Sequence, residues 1–254
     1  MTDGKLLQKQ LEKALENYRE RTGNEVSRPC AALFDMDGVL YDSMPNHAKA
    51  WMMMCRENAI EATEEEFFLY EGRTGASTLQ ILFNRNFNRD VSSDEVERLY
   101  GRKTEFFRQL PTVPVMKGAP EAIHTCVENG IITVLVTGSG QMSILERLER
   151  DFPGIFPPER RVTARDVAHG KPHPEPFIKG RLKAGVSIPE NAVVAVDNAP
   201  MGVRSASPSG AFTIGVRTGP IESGVLISHG ADIELSSMEE CSKVIEMLVK
   251  KLPL

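Results

Sequence analysis

The sequence predicts an α/β protein, a doubly wound parallel sheet with an inserted all-helical cap. Three observations predict it. Apolar runs alternate with amphipathic helical patterns from residue 119 onward, as a parallel sheet flanked by helices requires. Between Pro45 and Gln109, helical patterns follow one another without a convincing strand. The polar residues suited to chemistry stand directly after the apolar runs, at the strand ends where open sheets of this type bind ligands.

In chain order, residues 4–21 set Leu6, Leu7, Leu11, Leu15 and Tyr18 at helical spacing among Lys, Glu and Gln. This amphipathic helix is expected to pack on its own domain, with a dimer contact as the lesser reading. Cys30 to Phe34 is short, apolar and bounded by Pro29 and Asp35, as a strand buried on both faces would be. Helices are expected over 46–58, 63–70, 77–87 and 92–109. The two prolines in Leu110-Pro-Thr-Val-Pro114 forbid a continuous helix there and mark a stiff connector, a natural hinge. A helix from Ala119, a strand over 131–136, a helix from Gln141 and a strand near Arg161 follow. A helix from Glu175, a strand over 192–196, a helix from Met201 and a strand over 212–216 continue the alternation. Residues 231–235 and 238–248 supply a last strand and helix. The expected division is an N-terminal helical extension (1–28), a core domain (29–44 and 111–254) and a helical cap (45–110).

Composition narrows the function classes. The chain has 254 residues, 26% charged and 41% hydrophobic, values of an ordinary globular protein that fills a sizeable core. A formal net charge of −5 argues against a nucleic-acid partner. The four cysteines form no CxxC pair, so free thiols are expected rather than a zinc site. No apolar stretch approaches the ~20 residues of a membrane span, and the first residues lack a signal-peptide pattern, so a cytoplasmic, membrane-free protein is expected, a monomer being favoured.

Four elements, three at strand ends and one in a loop before a helix, carry chemistry. Asp35-Met-Asp37-Gly38 can aim two carboxylates at one point, with Gly38 permitting the sharp turn. Two acids so close need a cation between them, and oxygen ligands of this kind suit Mg²⁺. Thr137-Gly138-Ser139-Gly140 offers a hydroxyl and backbone N–H groups before a helix, a seat for an anion. Gly170-Lys171-Pro172 supplies one lysine, and Asp197-Asn198 supplies two more oxygen donors. Taken alone, the first element fits a calcium-type loop or a plain turn, the second an ordinary loop, and the lysine a solvated side chain. In this order, after these strands, together they point to phosphoryl transfer.

The stretches Phe34-Asp-Met-Asp-Gly-Val-Leu-Tyr-Asp-Ser43, Val136-Thr-Gly-Ser139, Gly170-Lys-Pro-His-Pro-Glu-Pro-Phe177 and Val196-Asp-Asn-Ala-Pro-Met-Gly202 resemble the haloacid dehalogenase (HAD) superfamily. More narrowly, they resemble its β-phosphoglucomutase-like branch. The resemblance implies Asp35 as the nucleophile, Asp37 as the acid and then base, Thr137, Gly138 and Ser139 on the phosphoryl oxygens, and Lys171 neutralising charge. It implies Mg²⁺ held by Asp35, the backbone carbonyl of Asp37, and Asp197 with Asn198. Asn198 stands where the family commonly has an acid, so the site has one negative charge fewer. The cap run Tyr70-Glu-Gly-Arg-Thr-Gly-Ala-Ser-Thr78, with Asn198-Ala-Pro and Phe212-Thr-Ile-Gly-Val-Arg-Thr-Gly-Pro220, looks like the HAD-type inorganic pyrophosphatases. That resemblance implies Glu71 as an added metal ligand, and His47, Arg73 and Lys103 as contacts to a second phosphate or leaving group. A carboxylate aimed at a phosphate pocket is consistent only with a cation in between. The expectation is a hydrolase of a small phosphorylated compound, with pyrophosphate first. A sugar-phosphate phosphatase or β-phosphoglucomutase is the alternative, and a non-catalytic binding module the remote one.

Overall fold

A computed structural model describes residues 3–138 and 142–252. Six strands form one parallel sheet: β1 (Ala31–Phe34), β2 (Ile132–Val136), β3 (Arg161–Val162), β4 (Val193–Asp197), β5 (Phe212–Val216) and β6 (Ile233–Leu235). Their spatial order is β3-β2-β1-β4-β5-β6. The chain builds outward from β1 to β3 on one side, then returns to β4 and builds outward on the other. The direction of winding therefore reverses between β1 and β4, where a crevice opens at the carboxyl ends of the strands. In register, Phe34 lies beside Leu135 on one side and Val196 on the other. The residues after β1, β2 and β4 consequently emerge side by side.

Every residue of β1, β4 and β5 is buried, so β1 reads as an unbroken apolar run, β4 as one up to its terminal Asp197, and β5 as one interrupted by Thr213. Helices α2 (Met44–Glu57), α3 (Glu64–Leu69), α4 (Gly75–Phe87) and α5 (Ser93–Gln109) make up the expected helical cap. Local chemistry sets their starts. Pro45 opens α2 at a position where no N–H is needed. Thr63 with Glu66 and Ser92 with Glu95 form capping boxes on α3 and α5. The cap has its own apolar interior, in which Trp51 stacks on Phe67 at 5.6 Å and Leu79, Leu82 and Leu99 are buried.

Both connectors between cap and core run together. Asp42 N–H donates to Pro114 O at 3.0 Å, Met116 N–H to Leu40 O at 2.9 Å, and Asn46 Nδ2 to Pro111 O at 2.7 Å. The two chain crossings are thus tied at one place, as a hinge would be.

The remaining helices are α1 (Asp3–Thr22), α6 (Ala119–Glu128), α7 (Met142–Asp151), α8 (Glu175–Ala184), α9 (Pro200–Ala206), α10 (Val225–Ser228) and α11 (Met238–Lys251). The expected helix start at Gln141 lies outside the described residues. Helix α1 packs on its own core through Leu7, Leu11, Ala14 and Tyr18. Leu6, expected in the apolar stripe, faces solvent at 51% exposure, and Ala14 takes a core position in its place. Tyr18 Oη donates to Gly210 O at 2.8 Å, and Arg21 grips buried Asp232 through two bonds of 3.0 and 2.7 Å. No helix among the described residues is long and apolar enough to cross a membrane.

Candidate active site

Asp35 leaves β1 with its N–H still on Val196 O at 3.0 Å, so the sheet fixes its backbone. Gly38, at φ +79°, turns the chain away; a Cβ there would meet Asn198 Nδ2 at 2.0 Å. The turn therefore needs glycine both for its conformation and for the approach of Asn198.

Lys171 lies beneath the crevice, its ammonium shared by Asp35 Oδ1 at 2.6 Å and Asp197 Oδ2 at 2.7 Å. All three side chains are within 4% of complete burial. Burial drives the Asp35 carboxyl up to about 7, with Lys171 pulling it down and the Asp197 and Asp37 carboxylates pushing it up. Burial opposes the Lys171 charge, but Asp197 and Asp35 outweigh it and hold the ammonium protonated.

The sequence-based metal set included Asp197, but the structure gives its carboxylate another occupation. One oxygen accepts from Lys171 and the other from Ala199 N–H at 3.0 Å. Gly202 makes room for it, since a Cβ there would lie 1.9 Å from the Asp197 carboxyl. Asp197 thus anchors Lys171, and Asn198 is the residue of the pair turned toward the cap. Asn198 Nδ2 donates to Glu71 Oε1 at 2.9 Å, a bond from core to cap. Its Oδ1 is buried without a hydrogen-bond partner among the described residues.

Glu71 is itself buried, and burial raises its carboxyl well above the ordinary value; the Asn198 bond lowers it, and Asp35, Asp197 and Asp37 raise it further. The carboxyls of Asp35, Asp37 and Glu71 thus lie close enough to act on one another, and Glu71 is bonded to the amide whose Oδ1 has no partner among the described residues. That donor set fits a hard divalent cation with oxygen ligands such as Mg²⁺.

Asp37 has a second set of partners that the sequence does not announce. Ser43 Oγ donates to its Oδ1 at 2.5 Å, and His47 Nε2 lies 3.0 Å from the same oxygen. Lys103 Nζ lies 2.6 Å from His47 Nδ1. When Lys103 carries its proton it only donates, so Nδ1 then accepts and Nε2–H donates to Asp37. Burial opposes ionisation of Asp37, but His47, Ser43 and Lys103 outweigh it and hold the carboxyl below its usual value. Burial and Lys103 together lower His47, against Asp37. Lys103 is lowered to about 7 by burial, with Asp37 opposing. His47 and Lys103, expected as contacts to a second phosphate, thus also form a relay from cap to Asp37 while lining the cavity.

Arg73 lines the same cavity, and its Nε is buried without a partner among the described residues. Thr137 and Gly138 complete the wall opposite the cap; Ser139 lies outside the described residues. A Cβ at Gly138 would approach Gly72 O to 2.6 Å, so this glycine lets the cap backbone close onto the strand end. With the cap in this position the cavity is small, about 70 Å³. Trp51, Phe67, Tyr70 and Tyr100 form its apolar side.

Known proteins match this arrangement. A family model described as haloacid dehalogenase-like hydrolase matches residues 31–210. Hexitol phosphatase A of Escherichia coli is 30% identical over 210 residues, covering 82% of this chain and 91% of that protein. 2-Deoxyglucose-6-phosphate phosphatase 1 of Saccharomyces cerevisiae is 26% identical, covering 84% and 89%. A solved Bacteroides vulgatus structure, provisionally named as a β-phosphoglucomutase, superposes with TM-score 0.90 at 39% identity, covering 97% of this chain and 99% of that one. The resemblance to pyrophosphatases is not repeated in these relatives. With the family model covering β1 to β4, and the strand-end residues Asp35, Thr137 and Asp197 gathered with Lys171 in one crevice, the chain belongs to the haloacid dehalogenase-like hydrolase family, as a phosphatase.

Proposed function

We propose that this chain is a Mg²⁺-dependent phosphatase that moves the phosphoryl group of a small phosphorylated sugar or polyol to Asp35 and then to water. The observation that carries the reading is the buried Asp35 carboxylate 2.6 Å from Lys171, facing the cavity that Thr137 and Gly138 also line. An Asp35 oxygen attacks phosphorus, the bond to the leaving oxygen breaks, and Asp37 supplies the proton that oxygen needs. A water oxygen then attacks the phosphorus of the aspartyl phosphate while Asp37 takes its proton, and inorganic phosphate departs.

Asp37 is held ionised in the unliganded site, the form needed for the second step. A phosphoryl group arriving beside it adds negative charge and favours the proton needed for the first. Thr137 and the backbone N–H groups after it hold phosphoryl oxygens, and Lys171 offsets charge on both Asp35 and the transferring group. Asp35, Asn198, Glu71 and the backbone carbonyl of Asp37 would hold Mg²⁺, which when bound offsets the negative charge gathered around the phosphoryl group.

The sugar or polyol class is supported by the relatives named above. A second reading, inorganic pyrophosphate, is favoured by a specific contact: the cap carboxylate of Glu71 reaches the metal-site amide of Asn198 at 2.9 Å. Arg73, Lys103 and His47 on the cap side would then face the second phosphate. A β-phosphoglucomutase uses the same core residues and differs in how long the aspartyl phosphate survives water.

One panel separates these. Phosphate release is measured with Mg²⁺ on hexose phosphates, polyol phosphates and pyrophosphate, for the parent, Glu71→Ala and Asp35→Asn, together with isomerisation of β-glucose 1-phosphate. Preference for a sugar or polyol phosphate supports the first reading. A pyrophosphate preference that Glu71→Ala abolishes supports the second, and one that survives Glu71→Ala removes Glu71 from the explanation. Phosphate release persisting in Asp35→Asn would overturn the nucleophile.

A further inference from the structure

Lys171 reaches the active site from a loop whose outer face carries a separate group of side chains. His169, His173 and Glu175 each offer one ligand atom, and these atoms lie within 4.8 Å of one another. We propose that these three residues bind a borderline divalent cation of the Zn²⁺ or Co²⁺ type, in a solvent-facing site that clamps the loop carrying Lys171.

The chemistry of the donors selects the ion. Two imidazoles and a carboxylate suit Zn²⁺, Co²⁺ or Ni²⁺, whereas Mg²⁺ prefers oxygen ligands. Bonds of about 2.0–2.1 Å at tetrahedral angles put donors ~3.3 Å apart, a spacing one pair already has while the three atoms together lie within 4.8 Å. His169 Nδ1 stands 3.3 Å from Glu175 Oε2. The two imidazole rings are neighbours, with centroids 4.7 Å apart.

The carboxylate is already positioned, because Ala168 N–H and His169 N–H donate to its two oxygens at 3.0 and 2.8 Å. Burial is minor there, and the Lys179 ammonium with these two N–H groups holds the Glu175 carboxyl down at about 2, so it stays ionised. Two contacts compete with the ion: His173 Nδ1 accepts from Glu175 N–H at 3.2 Å, and Lys179 Nζ lies 2.7 Å from Glu175 Oε1. Both His side chains are exposed, so the remaining coordination positions fall to water. The result is an open, exchanging site of three protein ligands.

Its position gives it a consequence. The ligands straddle Lys171 in sequence, and Ser205 Oγ fastens the far side of the loop by donating to His173 O at 2.6 Å. An ion joining His169 to His173 and Glu175 closes the loop around Lys171 and restrains it.

The test uses the full chain in saturating Mg²⁺, so that the active-site carboxylates hold their own ion, with Co²⁺ as the probe. Co²⁺ binding is followed by equilibrium dialysis and visible absorption, and amide exchange is recorded across residues 167–174. The expected result is one Co²⁺ per chain and slower exchange in that loop. His169→Ala and His173→Ala should each weaken binding by at least the ~10- to 100-fold that loss of an outer-shell partner costs a metal site. Asp35→Asn should leave it unchanged. Both His side chains lie outside the core, so these variants keep the fold, which a urea midpoint verifies. Co²⁺ affinity that stays the same in both His variants, or that falls only in Asp35→Asn, would overturn the proposal.

Discussion

Replacing Lys171 with Met removes one cation from between two carboxylates. Lys171 Nζ sits 2.6 Å from Asp35 and 2.7 Å from Asp197, with side-chain exposures of 1%, 4% and 1% for Lys171, Asp35 and Asp197. At such depth a removed partner is not replaced by water, and breaking a buried ion pair costs about 3–5 kcal/mol. The Asp35 carboxyl, already pushed up to about 7 with the lysine present, would rise further and present a protonated, non-nucleophilic oxygen at neutral pH. If the cost falls on the transition state, ~3–5 kcal/mol corresponds to a loss of about 10²- to 10⁴-fold in kcat/KM. The assay is steady-state phosphate release in Mg²⁺ with the best substrate of the panel, beside Lys171→Arg, which keeps the charge but not the compact ammonium. A Lys171→Met enzyme within tenfold of the parent, with its urea midpoint unchanged, would refute the claim that this ammonium sets the state of Asp35.

Three other outcomes follow from the same geometry. Gly202→Ala places a methyl where the Asp197 carboxyl lies, 1.9 Å away, so Lys171 loses its anchor; activity should fall by about 10-fold or more, the cost of a buried charge-assisted hydrogen bond, while circular dichroism stays native. In EDTA, Asp35 binds its proton up to about 7 in the folded chain but only to the ordinary 3.8 when unfolded, so its contribution is full below 3.8 and lost as pH rises through about 7. Relative to Asp35→Asn, parent stability should therefore decline between those values by up to about 1.4 kcal/mol per pH unit in urea titrations, and Mg²⁺ should flatten the decline. Arg21→Ala strands Asp232, which is 3% exposed, and should cost about 3–5 kcal/mol by urea unfolding with little change in kcat, since the pair lies outside the cavity.

The strands were legible because a strand buried on both faces has no polar position to break its pattern. Ala31–Phe34 and the stretch 193–196 of β4 are unbroken apolar runs for this reason. The positions of Asp35, Thr137 and Lys171 were legible because each follows an apolar run or precedes a helix, and a parallel sheet puts all such places at one edge. Contacts between distant parts of the chain were not legible. Lys103 reaches His47 across 56 positions, and no periodicity links a residue of α5 to one of α2. Asp197 reads as a metal donor because it stands at a strand end, and only the position of the Lys171 ammonium shows where its oxygens are spent. Leu6 falls outside the buried stripe and Ala14 inside it, because hydrophobicity alone does not say which side of a wide apolar stripe meets the sheet. Helix α10 is a single turn of four residues, too short to show a period.

The central claim is that Asp35 carries the phosphoryl group, and acid quench of the enzyme during turnover tests it most directly. Quenched protein digested and sequenced by mass spectrometry should show phosphate on the peptide containing Asp35, absent in Asp35→Asn, which should also release no phosphate. Phosphate found on another residue, or full turnover by Asp35→Asn, would contradict the account.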